Sequence, residues 1–372
     1  MRRILLAGLL VIVMTGCGAS HRAARLQVTP ASSVEDQPIQ IRFDGLRRLQ
    51  GVWLELRSTD ATGTVFVSRA AFGADDHGVL DLARAQAQTG STYSGVWQMG
   101  LLASMTAPNA LPLTDYRWGS TPRRFVLTAI SASLPIASVT FTRRWRSGVY
   151  KIVRETVAKH GFNATFYAPA GARHQAAVLA IGGHGSAWLG ERLAADGIPA
   201  LVIAYRRAPL EYFRTALEWL DGRSEVDARR VSVLGTSYGS ETALLLGVHY
   251  PGLVRGVAAI VPSLVALPHT AMLDNPPLRA VIPVERISSP VFLACGGRDQ
   301  VWGSCAYAHA IVARRHAHGE STQLIAYPNA SHSLGRPFIY EPGALAGDFF
   351  VPADERARED LWPRLLAFLH AA

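Results

Sequence analysis

VSVLGTSYGSETALLLG (residues 231–247) passes from small apolar residues through a Gly-Thr-Ser-Tyr-Gly box into a stretch rich in Ala and Leu. The first part suits a buried strand and the last a helix. One reading of the box is simply a tight turn that needs small residues. The sharper reading makes Ser237 a nucleophile, with Gly235 and Gly239 letting the turn close so that the hydroxyl stands above the end of a sheet.

Around this box, AAVLAIGG, ALVIAY, GVAAIVP, PVFLACGG and QLIAYP are apolar runs. They alternate with the helical stretches AWLGERLAADG, LEYFRTALEWLDG, CAYAHAIVARRHA and DLWPRLLAFLHA, the last carrying Pro363 near its start. Strands without a polar face are covered on both sides, which predicts an α/β fold with a mostly parallel sheet. YKIVRET and FNATFYAP predict an antiparallel pair at its beginning.

Ligands of such sheets bind beyond the C-terminal strand ends. Three ends here deliver reactive groups: Ser237 after RVSVLG, Asp299 after PVFLACGG and His332 after QLIAYP. Ser, then Asp, then His is the chain order of the α/β-hydrolase fold. A free serine is a poor nucleophile, so His332 is expected to take its proton and Asp299 to hold the imidazole. The bland alternatives are a helix-capping Asp299 and a loop histidine bonded to backbone. The oxyanion would be met by the backbone N–H of Tyr238 and by that of His184 or Gly185 in IGGHGSAW.

Between residues 22 and 145, QVTP, PIQIRFDG, GVWLELRSTD, TVFVSRAAF, GVLDLARA, RFVLTAISA and IASVTFTRR read as short strands broken by turns. Their number predicts an immunoglobulin-like β-sandwich ahead of an α/β-hydrolase domain at 146–372. Thr89–Asp115 reads as an irregular loop. The net charge is +9, but Lys151 and Lys159 are the only lysines and the arginines are scattered in pairs, so no nucleic-acid partner is expected. No cofactor motif is present, and no His or Cys spacing suits a metal.

MRRILLAGLLVIVMTGCGAS has the layout of a secretory signal, too short for a stable spanning helix. Thr15-Gly16-Cys17 further resembles a bacterial lipobox, so residues 1–21 are read as signal and tether, with Cys17 lipidated and the protein anchored in the cell envelope. In an oxidising compartment Cys295 and Cys305 could form a disulfide bracketing Asp299. Sequence alone tips slightly toward two separate buried thiols, because it carries no geometry.

Taken together, LQVTPASSVEDQPIQIRFDGL, STYSGVWQMGLLASM, LEYFRTALEWL, GTSYGS, IPVERISSPVFLACGGRDQVWGSCAYA and YPNASHSLGRPF resemble the acyl-CoA thioesterases and bile acid-CoA:amino acid N-acyltransferases, in their bacterial branch. The resemblance implies a serine hydrolase cleaving acyl thioesters, with Ser237, Asp299 and His332 as nucleophile, acid and base. It also implies that the Tyr93–Met105 loop packs near the site entrance, against the plainer reading of inter-domain core. Two alternatives stand beside it. One is an exported carboxylesterase or acyltransferase on a non-CoA ester; the other is an envelope binding protein with an idle hydrolase fold.

Overall fold

The computed structural model describes residues 24–108, 116–145, 150–182, 186–204, 208–266, 280–336, 340, 342 and 352–372. Cys17, His184 and Gly185 lie outside these residues. Among the described residues no helix is long and apolar enough to cross a membrane.

In the N-terminal region every second residue of a strand turns inward, as in Gly51–Thr59, where Val52, Leu54, Leu56 and Ser58 are buried. Five strands pair in the order Ser32–Val34, Leu134–Arg144, Arg123–Ser131, Gly51–Thr59, Val65–Gly73. Three more, Arg25–Thr29, Gln40–Asp44 and Leu80–Asp81, form a separate antiparallel sheet. Ile41 and Phe43 of the small sheet share one core with Leu54, Phe125, Leu127 and Phe141 of the large one. GVLDLARA contributes only Leu80–Asp81 to strand, because Asp81 turns the chain by accepting the Ala83 amide.

Eight strands form the second sheet: β1 (Tyr150–Glu155), β2 (Ala164–Pro169), β3 (Gln175–Gly182), β4 (Ala200–Ala204), β5 (Val226–Thr236), β6 (Gly256–Ile260), β7 (Val291–Gly296) and β8 (Thr322–Tyr327). Their order is β1-β2-β4-β3-β5-β6-β7-β8, antiparallel through β1, β2 and β4 and parallel from β4 to β8. The helices of ten residues or more are α1 (Ser186–Ala195), α2 (Leu210–Asp221), α3 (Tyr238–His249), α4 (Ser304–His316) and α5 (Pro352–Ala371).

Alternate residues of each strand enter different cores. Leu179, Ile181, Val231 and Val233 meet α2, α3 and α4, whereas Val178, Ala180, Leu234 and Ala258 meet α1 and α5. The second core runs without interruption into that of the sandwich. Polar bonds cross the same boundary: Arg192 on α1 to Asp36 at 3.1 Å, Trp97 Nε1 to Glu359 on α5 at 3.0 Å, and Arg356 to the Ser94 carbonyl at 3.3 Å. Tyr93, Trp97, Met99 and Met105 are all buried in this continuous core, so the Tyr93–Met105 segment packs as inter-domain core.

The last helix corrects one expectation. It begins at Pro352, so Pro363 lies in its interior rather than near its start. The first turns read as polar because Asp354, Glu355 and Arg358 are buried against one another and against the neighbouring loop, which hides the apolar period.

Candidate active site

β5 ends and α3 begins at Ser237, whose backbone is held at φ 57° and ψ −126°. A residue other than glycine is strained there, and such strain persists only where the surroundings enforce it. Two glycines do so by letting backbone approach backbone. A Cβ on Gly235 would stand 2.1 Å from the Gly239 carbonyl oxygen, and one on Gly239 would stand 2.2 Å from that of Ile181. The Ser237 amide donates to the Ile260 carbonyl at 3.1 Å. Ser237 is thereby lifted at the C-terminal edge of the sheet with its side chain half-buried.

Asp299 follows β7 and His332 follows β8. His332 Nδ1 lies 2.8 Å from Asp299 Oδ2, and Nε2 lies 2.8 Å from Ser237 Oγ. The Asp299 carboxylate is almost wholly buried, with its other oxygen accepting the amides of Val301 and Trp302 at 3.0 and 3.1 Å. Burial works against its charge, but the hydrogen bonds from His332, Ser304 and the Trp302 amide prevail and hold its pKa below the ordinary value. An ionised carboxylate only accepts. Nδ1 of His332 must therefore carry the proton, which leaves Nε2 of the neutral ring to accept from the serine hydroxyl. The structure thus joins the three residues into one chain of hydrogen bonds.

Tyr238 is the first residue of α3, next to Ser237, where helix amides point at a developing anion. Its ring packs on Trp302 with centroids 5.2 Å apart, and Trp302 in turn packs edge-on against His332 at 4.9 Å. The Trp302 indole donates to the Val261 carbonyl at 3.1 Å. Val261 itself has φ 47°, a second strained position at the same edge and a costly one for a β-branched residue.

Sequence reading missed the support behind His332. Asp354 of α5 accepts from the Ser331 amide at 2.5 Å and from its hydroxyl at 2.6 Å. Arg358, one turn on, donates to the Ser333 carbonyl and pairs with Glu355. The residues on both sides of His332 are thus clamped by one helix that also touches the sandwich. Only the i, i+4 spacing of Asp354 and Arg358 could have hinted at this. A small apolar cavity of about 30 Å³ lies beside the clamp, lined by Thr236, Ile260, Leu334, Leu361, Trp362 and Arg358 among others.

Cys295, at the end of β7, and Cys305, in the first turn of α4, are joined in a disulfide with Cα atoms 4.9 Å apart. This corrects the leaning toward two separate thiols. The strand end and the helix start meet across a turn of a few residues, a proximity the spacing alone does not reveal.

The description "Acyl-CoA thioester hydrolase/BAAT N-terminal region" matches residues 36–156, and "BAAT / Acyl-CoA thioester hydrolase C terminal" matches 208–279 and 268–372. The chain belongs to the acyl-CoA thioester hydrolase/BAAT family. Rat acyl-coenzyme A thioesterase 1 is 29% identical, over 93% of this chain and 96% of that protein. Mouse acyl-coenzyme A thioesterase 5 is 28% identical, over 90% and 93%. Among solved structures, an α/β hydrolase from a deep-sea metagenome library overlaps 61% of the chain and all of its own length, at 17% identity and a TM-score of 0.48.

Proposed function

We propose that this member of the family hydrolyses acyl thioesters through an acyl-serine intermediate. The observation that carries the reading is the unbroken line Asp299–His332–Ser237, both links 2.8 Å. Nε2 of His332 takes the hydroxyl proton as Ser237 Oγ attacks the acyl carbon. The Tyr238 amide meets the oxyanion, and the new imidazolium is stabilised by Asp299. Collapse expels the thiol half of the substrate, which leaves with the proton from His332. Water then attacks the acyl-serine with His332 as base, releasing the acid and restoring the serine. The amino-acid acyltransferases of the family resemblance use a cysteine nucleophile, whose acyl thioester passes readily to an amine. An oxygen ester on Ser237 favours water by comparison, so hydrolysis is the expected outcome.

A fluorophosphonate probe should label Ser237, and His332→Ala should abolish labelling. Purified protein that turns over neither palmitoyl-CoA nor a p-nitrophenyl ester would overturn the proposal.

The Cys295–Cys305 bond favours a second reading of the substrate. Disulfides persist in oxidising compartments. Together with the signal-like first residues, this supports an exported enzyme anchored through Cys17 and working on an ester or thioester other than a CoA conjugate. Rates on palmitoyl-CoA and on a matched oxygen ester separate the two readings, and the mass of the mature N-terminus tests the anchor.

A further inference from the structure

Where the sandwich meets α1 there is a pocket of about 520 Å³, within the range of small-molecule sites. Arg117 and Trp118 reach it from the segment before Arg123–Ser131, Arg144 and Trp145 from the end of Leu134–Arg144, and Trp188 and Glu191 from α1. None of these residues takes part in the mechanism above.

Two features give it a chemical character. Its walls hold three indoles in a row, Trp118 to Trp145 at 6.4 Å and Trp145 to Trp188 at 6.1 Å between centroids. Its charge is positive: the Arg117 guanidinium is exposed, 5.5 Å from the centre of the Trp188 ring, while Glu191, the one acid among the described lining residues, already accepts the Trp145 indole N–H at 2.8 Å.

The geometry points to a binding site for a flat aromatic ring that carries one or more acidic groups. The ring would stack on the indoles and its anionic group would pair with Arg117. Position gives the site a role. Ile181, next to the end of β3, is paired with Gly235, two residues from Ser237. From Gly182 to Trp188 the chain spans at most about 20 Å. We assign the pocket to the leaving-group end of the substrate, an assignment that rests on the hydrolase reading, whereas binding itself does not.

The test separates these parts. Adenosine 3′,5′-bisphosphate, 1-naphthoate and inorganic phosphate are titrated separately into the Ser237→Ala protein, with tryptophan fluorescence as the readout. At least one aromatic anion should bind with a Kd below about 1 mM, and Arg117→Ala should weaken it about tenfold. Trp188→Ala should weaken it as well, with circular dichroism unchanged in both. Saturation by the bisphosphate alone specifies a nucleotide, and saturation by naphthoate a simple aryl acid. Failure of both, equal binding of inorganic phosphate, or full binding by both variants overturns the site. In the unsubstituted enzyme the bound probe should raise KM for palmitoyl-CoA and leave kcat unchanged. Binding without effect on KM overturns the leaving-group role. Absence of any turnover overturns the hydrolase reading and leaves the binding result standing.

Discussion

Replacing Glu359 by glutamine should stabilise the protein at about pH 8 and change nothing at about pH 4. Glu359 lies on α5 and accepts the Trp97 indole across the domain boundary at 3.0 Å. Burial, aided by the nearby Glu355, pushes its pKa from 4.5 to about 7, although Trp97, Arg356 and Arg358 pull the other way. In the unfolded chain the group returns to its ordinary value. Below 4.5 both states hold the proton, so the contact is at full strength. As pH rises toward 7 the unfolded chain releases its proton first, and stability falls until the folded group has also ionised. At about 1.4 kcal/mol per pH unit, the gap amounts to about 3 kcal/mol. Glutamine keeps an acceptor for Trp97 without the charge. Urea unfolding followed by tryptophan fluorescence, at about pH 4, 6 and 8, should give curves that diverge as pH rises. Glu355, also held high by burial, is common to both proteins and largely cancels. Parallel profiles, or a glutamine variant weaker at the upper pH, would refute the reasoning.

Asp299→Asn should lower kcat about 10⁴-fold by admitting the wrong tautomer of His332, while the urea midpoint stays near that of the parent. Gly239→Ala places a methyl 2.2 Å from the Ile181 carbonyl oxygen; it should cost at least about 3 kcal/mol in urea unfolding and abolish fluorophosphonate labelling. Asp354→Ala removes the acceptor of both the buried Ser331 amide and its hydroxyl. A loss of about 2–5 kcal/mol and a fall in kcat larger than the change in KM are expected. Asp354→Asn, which keeps one acceptor, should recover part of both.

The reactive line of residues was legible because each member follows an apolar run that reads as a strand, buried in β5 and β7 and half-exposed in β8 at the sheet edge. The glycines on either side of Ser237 were legible for a comparable reason: close approach of backbones excludes other residues, and the sequence records it. The clamp behind His332 left no such mark. Asp354 and Arg358 sit in PADERARED, which looks like solvent-facing helix or loop, yet their charges are satisfied internally. Polar residues that answer one another inside a protein carry no periodic signature, so α5 read as starting near Asp360 rather than at Pro352. The Tyr93–Met105 segment was hard for the opposite reason. Its aromatics could line an entrance or fill a core, and only the packing against α5 decides.

The bond between Cys295 and Cys305, ten positions apart, closes a small ring around the aspartate. In the chain-entropy account so small a hoop contributes about 3 kcal/mol, less than a long loop would, and its grip is mainly local. Opened by a reductant, the molecule would remain assembled while the carboxylate behind the imidazole gained play. Catalytic output should then slacken well before the fold does, which makes this protein's chemistry more sensitive to its redox surroundings than its architecture is.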